Sequence, residues 1–296
     1  MATRYWTNGA GTGVVSTASN WSPSGAPSAG DILIFASSTT GAATTDAVIG
    51  GDYSGLGLMA EIRVGQNFVQ PFGASGAYVL IQGTVVILES GGDVYLDVES
   101  STSTAKVIVN HTPFSADALH LRGDIHELRC LDSSGDISVE ATTSSSTSSG
   151  NTEVDTMYVF NSLQGKVTTE TNVTSLDTLY MDGGTLESSC AATTVNIYGG
   201  HFTQESTGAI TTANIYGQDT TCFMSGSGTV TNLNLYDGRI TFQNNGSDGL
   251  TVTNCTQYGG VFDLQPSLRN ITFTNNIDVR AGTLLPPLAS TISVAY

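Results

Sequence analysis

Val195-Asn196-Ile197-Tyr198-Gly199-Gly200-His201-Phe202 decides the reading of this chain, because it recurs. Ala213-Asn214-Ile215-Tyr216-Gly217 follows it, then Leu233-Asn234-Leu235-Tyr236-Asp237-Gly238, then Thr256-Gln257-Tyr258-Gly259-Gly260-Val261-Phe262. Working back toward the N-terminus, Tyr180 and Tyr158 extend the series at nearly even steps. Each copy is a short strand of alternating apolar residues, a tyrosine, a glycine-bearing bend and a second strand with a large apolar residue. Those second residues are Leu186, Phe202, Phe223, Phe242 and Phe262.

A fixed period near twenty residues marks a solenoid, whose repeats bury their apolar faces only against their neighbours. The alternation is strand-like, so the unit reads as one coil of an all-β, right-handed parallel β-helix with layers about 4.8 Å apart. Stacking sets equivalent positions above one another. The expectation is one structural ladder of Tyr158, Tyr180, Tyr198, Tyr216, Tyr236 and Tyr258, with Phe202, Phe223, Phe242 and Phe262 beside it. Such a ladder follows from the repeat and needs no ligand.

The composition fits this architecture. Charged residues are 12% of the 296, with Gly, Ser, Thr and Asn in their place, while 39% remain hydrophobic and fall in regular short runs. That is a fold rich in bends and β-branched strand faces, and it is not a disordered chain. Nine Lys and Arg against 26 Asp and Glu give a formal charge of −17. Such a chain repels nucleic-acid phosphate and anionic lipid, so neither is an expected partner. No stretch approaches the ~18 apolar residues of a membrane helix. No apolar run follows Met1-Ala2-Thr3-Arg4-Tyr5-Trp6, so no secretory signal is expected and the chain is taken to be made in a host cytoplasm.

Residues 1–36 differ from the rest. They hold Trp6 and Trp21, Pro23 and Pro27, and end on Gly30-Asp31-Ile32-Leu33-Ile34-Phe35. A solenoid's first coil needs a cover, and Trp6, Trp21, Asp31 and Phe35 are expected to form that cap or attachment segment. Carbohydrate stacking on the two indoles is the alternative. Residues 37–284 read as the solenoid, looser over 37–150 and regular over 151–284. Short apolar strands such as Thr84-Val85-Val86-Ile87-Leu88 and Lys106-Val107-Ile108-Val109 mark the looser half, and a sandwich there is the second reading. Residues 142–151 are low-complexity. Pro286-Pro287 breaks the repeat, and within 285–296 a closing strand is expected over Thr291-Ile292-Ser293-Val294-Ala295-Tyr296.

Carboxylates are the first candidate chemistry, because many parallel β-helices cleave polysaccharides with clustered acids. Asp182, Asp237 and Asp263 lie near the bends after Tyr180, Tyr236 and Tyr258, with Arg239 nearby, but their offsets from the tyrosines differ and coils carrying Gly199 and Gly217 intervene. They read as solvated turn residues. His111, His120, His126 and His201 show no metal-ligand spacing, and Arg122-Gly123-Asp124 reads as a coincidental turn between Leu121 and Ile125. Cys130, Cys190, Cys222 and Cys255 are expected to be buried small residues of different coils, with a cross-coil disulfide left open. No catalytic, metal or cofactor site is expected.

Asn20-Trp21-Ser22, Gly25-Ala26-Pro27 and Gly30-Asp31-Ile32-Leu33-Ile34-Phe35 resemble the opening of a broad set of bacterial and phage β-solenoid proteins. The Tyr198-Gly199-Gly200 and Tyr258-Gly259-Gly260 units are similar to the same set. Within it, a chain opening without a leader or barrel anchor looks most like a virion protein of a tailed bacteriophage, of the capsid decoration or head-fibre type. The resemblance implies a homotrimer on the capsid surface, with virion proteins as partners. A tailspike-like protein that binds or degrades host-surface glycan is the alternative. No catalytic residue carries over from the resemblance.

Overall fold

The computed structural model describes residues 1–37, 47–99, 105–110, 119–141, 152–160, 163–205, 207–242, 249–265 and 271–286. The expectations placed on His111, on residues 142–151 and on a closing strand at 291–296 lie outside them. The chain divides into two compact units, Met1–Val154 and Asp155–Tyr296. Each is a parallel β-solenoid, with coils of about 21 residues.

In the C-terminal unit, strands Ser175–Met181, Ala192–Ile197, Ile210–Ile215, Thr229–Leu235 and Leu250–Gln257 pair in parallel to form one sheet. Leu176, Ala192, Ile210, Val230 and Val252 stand above one another, and each coil between them is slightly longer than the one before. Two further inward columns run Leu179–Val195–Ala213–Leu233–Cys255 and Met181–Ile197–Ile215–Leu235–Gln257, all buried. A second sheet stacks Thr185–Ser188, Gly200–Gln204, Thr220–Met224, Arg239–Phe242, Val261–Asp263 and Thr283–Leu285. Its inward column is Leu186–Phe202–Cys222–Ile240–Phe262–Leu284. Each fully buried aliphatic or aromatic side chain contributes about 1.5–3 kcal/mol, and the columns make that contribution regular.

The bends stack as closely as the strands. A Cβ on Gly217 would lie 1.7 Å from the carbonyl oxygen of Tyr198 one coil below, so no side chain fits there. Gly260, at φ +66°, combines a left-handed backbone with a similar approach to the Gly238 carbonyl. Gln204 and Gln257, buried near the corners, donate their amide hydrogens to backbone carbonyls of Cys190 and Gly208, and of Gly260 and Thr283. Corner carbonyls left over by the sheets thus gain partners.

In the N-terminal unit the inward columns Leu33–Ile62–Val86–Val107–Leu128 and Phe35–Val64–Leu88–Val109–Cys130 run through one sheet. Val79–Leu96–Leu121–Val139 forms the facing column of the other. The expected sandwich alternative is absent from this unit's described strands. Strand Thr3–Trp6 pairs in parallel with Ile32–Ser37 and antiparallel with Trp21–Ser22. Trp6 and Trp21 pack edge to face at 5.1 Å, and both touch Phe35. They are 5% and 2% exposed, which leaves no ring face for a sugar. Asp31 accepts from Arg4 Nε at 2.7 Å and from the Ala2 and Ser28 backbone N–H groups.

Two ladder expectations change in register. Phe202 pairs with Cys222, and Thr203 pairs with Phe223, so Phe223 turns away from the core that Phe202, Phe242 and Phe262 fill. A one-residue shift in a strand exchanges its two faces. The tyrosines, in turn, form two stacks instead of one. Tyr158 stacks on Tyr180 at 5.2 Å, and Tyr198, Tyr216, Tyr236 and Tyr258 stack at 4.9, 4.7 and 4.7 Å. Tyr180 pairs with Asn196, which leaves Tyr198 two residues further along.

Candidate functional site

Tyrosines of the longer stack point away from the core. Alternation requires this: Val195 and Ile197 face inward, so Asn196 and Tyr198 share the outer face. Tyr198 is 47% exposed, the highest of the four, and Tyr216 is 36% exposed, the lowest. Beside this stack runs Asn196–Asn214–Asn234–Thr256, and beyond it Thr194–Thr212–Asn232–Asn254. The asparagines bond along the stack: Asn214 Nδ2 donates to Asn196 Oδ1 at 3.0 Å and Asn234 Nδ2 to Asn214 Oδ1 at 2.9 Å. A second series runs from Asn275 to Asn254 to Asn232, at 2.6 and 2.8 Å. The result is an array of three columns by four coils. None of the four strands that build it carries a charged residue.

Charge appears where the columns end. The tyrosine column begins one residue past the Met181–Ile197 pair, over exposed Asp182, and finishes under Arg280, whose guanidinium lies 4.8 Å from the Tyr258 ring centre. The asparagine column begins at Tyr180 and finishes at Asp278, which accepts from Arg280 Nε at 2.9 Å. Within the stack the ring faces cover one another at interplanar angles of 2–12°, so edges and hydroxyls meet solvent.

Asp182, Asp237 and Asp263 do not converge. Asp182 is exposed at the foot of the tyrosine column. Asp237 accepts from the Gly238 N–H at 2.8 Å within a bend. Asp263 lies on the second sheet, buried beneath Arg239, which donates to it. His201, also on that sheet, has its ring 4.8 Å from Phe223.

The N-terminal unit holds a polar cluster that the sequence reading missed. On the outer side of its second sheet, Tyr95 pairs with His120, Asp97 with Arg122, and Leu80 with Asp97. Arg122 Nε donates to Asp97 Oδ2 at 2.7 Å, and its guanidinium covers the Tyr78 ring at 3.8 Å. The Tyr78 hydroxyl donates to Glu140, which also bonds His120 Nδ1 at 2.5 Å. His120 in turn stacks on Tyr95 at 4.4 Å. Burial pushes the Glu140 carboxyl up, but the His120 and Tyr78 hydrogen bonds outweigh it and hold it below the usual range. Burial and the Glu140 contact both push the Tyr78 phenol up. Four coils are tied together by side chains bonded to one another, which suits a clamp across the stack. Arg122-Gly123-Asp124 sits inside strand Leu119–Asp132, with Arg122 turned into this clamp and the backbone turning at Gly123 (φ +99°).

All four cysteines are buried free thiols, and burial pushes Cys130 and Cys255 up to about 12. Every lysine and arginine among the described residues lies in an ion pair with a carboxylate. No group of three or more potential metal ligands occurs among the described residues.

The fold and its outer columns define the class: a parallel β-solenoid with a self-bonded, uncharged ladder face. Comparison with family models, curated proteins and solved structures found no match.

Proposed function

We propose that this chain is a non-enzymatic structural protein of a tailed-bacteriophage virion, an oligomeric solenoid that decorates or stabilises the capsid surface. The observation that carries the proposal is the ladder face. Its asparagine amides bond to their own repeats, its tyrosine rings cover one another, and both give the stack rigidity along its axis. The candidate acids are dispersed over different sites, and the described basic side chains are engaged by carboxylates, which leaves the paired acid–base chemistry of glycan cleavage without a place in these sites. Placement on a phage particle draws on the resemblance of residues 20–35 to the openings of a broad set of bacterial and phage β-solenoid proteins. Mass spectrometry of density-purified particles, followed by imaging of particles bearing a labelled chain, tests it: the chain should co-purify in stoichiometric amount at the head, and its absence overturns the role.

A second reading has the uncharged face in its favour. Rows of amides, hydroxyls and tyrosine edges suit a neutral host-surface glycan, as in a tailspike-like receptor binder. Incubation with host polysaccharide separates the two, because binding or shortening of the polymer supports this reading alone.

A further inference from the structure

The face built by 194–198, 212–216, 232–236 and 254–258 carries no charged side chain over four consecutive coils, with Asp237 flanking it beside Tyr236. Chains with a formal charge of −17 repel one another, and a contact between copies is least opposed where the surface is neutral. The same face presents four contiguous half-exposed tyrosines, and interface cores are depleted in charge and enriched in tyrosine.

We infer that a second copy of this chain docks on this face, antiparallel, about a two-fold axis between the Tyr216 and Tyr236 coils. The column ends supply the direction. In a two-fold pair each column meets its own reverse, because an isologous contact sets residue i against j and j against i. Tyr216 then faces Tyr236 of the other copy, and Tyr198 faces Tyr258. Asp182 faces Arg280, bringing opposite charges together at both ends. In the neighbouring column the Tyr180 hydroxyl faces the Asp278 carboxylate. A parallel pairing would instead bring Asp182 toward Asp182 and Arg280 toward Arg280. Six layers of about 4.8 Å by five residues of about 3.3 Å make a face of roughly 25 by 15 Å. That is small for a specific interface, so the association depends on protein concentration.

Sedimentation velocity of the full chain over a concentration series tests this. The wild type should pass from one chain toward two as concentration rises. Tyr236→Asp, which places like charges at the centre, should return it to one chain with its circular dichroism unchanged. Asp182→Arg and Arg280→Asp should each weaken the dimer about tenfold or more, and the double variant should restore it. A monomer throughout, a trimer, or a double variant weaker than either single one overturns the pairing. Glycan binding by a monomer that Tyr236→Asp abolishes overturns it too and assigns the face to sugar. Dimerisation with rescue, in a chain absent from virions, leaves the pairing standing and removes only the virion role.

Discussion

Tyr180 lies in register with Asn196, and Tyr198 lies over Asp182. The step from Tyr180 to Tyr198 is longer than the coil that separates Leu176 from Ala192, so Tyr198 arrives two residues late and starts a new column. The next three coils match the later tyrosine spacings residue for residue, and the four rings from Tyr198 to Tyr258 stack. This slip separates a stabilising ladder from a core, and the energetics follow it.

Tyr216→Ala removes two stacked contacts, at 4.9 and 4.7 Å, from a ring whose edge is already in solvent. Aromatic pairs contribute about 0.5–1.5 kcal/mol each beyond burial, so a loss of about 1–3 kcal/mol is expected. Chemical denaturation measured against wild type checks it, and a loss of about 5 kcal/mol would show that the ring is packed as core.

Phe262→Ala and Phe223→Ala should differ by several-fold. The first empties a fully buried position and is expected to cost about 3–5 kcal/mol. The second removes an outward ring that leans on His201 and should cost about 1 kcal/mol or less. Equal losses in parallel unfolding curves would contradict the register.

Asp31 predicts acid sensitivity of the N-terminal segment. Burial raises its pKa, but Arg4 and the Ala2 and Ser28 N–H groups outweigh burial and hold it at about 2, below the ordinary 3.8. A depressed carboxyl stabilises the fold above its unfolded pKa, and the benefit disappears as pH falls from about 4 to 2. Tryptophan fluorescence should report loosening around Trp6 and Trp21 across that window. Asp31→Asn should abolish the window and cost about 3 kcal/mol at neutral pH by stranding Arg4.

The Tyr78–Glu140–His120 clamp is expected to fail at both ends of the pH scale. Glu140 has a lowered pKa, so its contribution is lost as pH drops below the ordinary carboxylate range. Tyr78 has a raised one, so its contribution is lost as pH climbs past the ordinary phenol value near 10. Melting temperature against pH should fall on both sides. Tyr78→Phe should flatten the alkaline limb, and an unchanged alkaline limb would sink the assignment.

Gly217→Ala should be among the more damaging single changes in the C-terminal unit, because the new methyl would occupy the position of the Tyr198 carbonyl. A loss above about 2 kcal/mol is expected in thermal or chemical unfolding. Unchanged stability would mean that the bends do not stack as closely as described.

The repeat itself was legible because Val195, Ile197, Ala213, Ile215, Leu233 and Leu235 alternate with polar residues and recur at one coil's length. The same alternation places Asn196 and Tyr198 on the outer face, although periodicity read through the tyrosines alone suggests a packing ladder. The clamp left no such trace. Tyr78, Asp97, Arg122 and Glu140 come from four coils, and no spacing rule joins Tyr78 to Glu140 when coils differ in length.

By itself the sequence determined the class of fold, the in–out alternation of the first sheet's strands and the glycine-bearing bends, because each depends on local period and backbone freedom. Tertiary structure decided which tyrosines share a column, which phenylalanine turns outward and which charges close the ladder. Those outcomes depend on the summed length of each coil. A difference of two residues moves a side chain to another column, and a difference of one moves it to the other face.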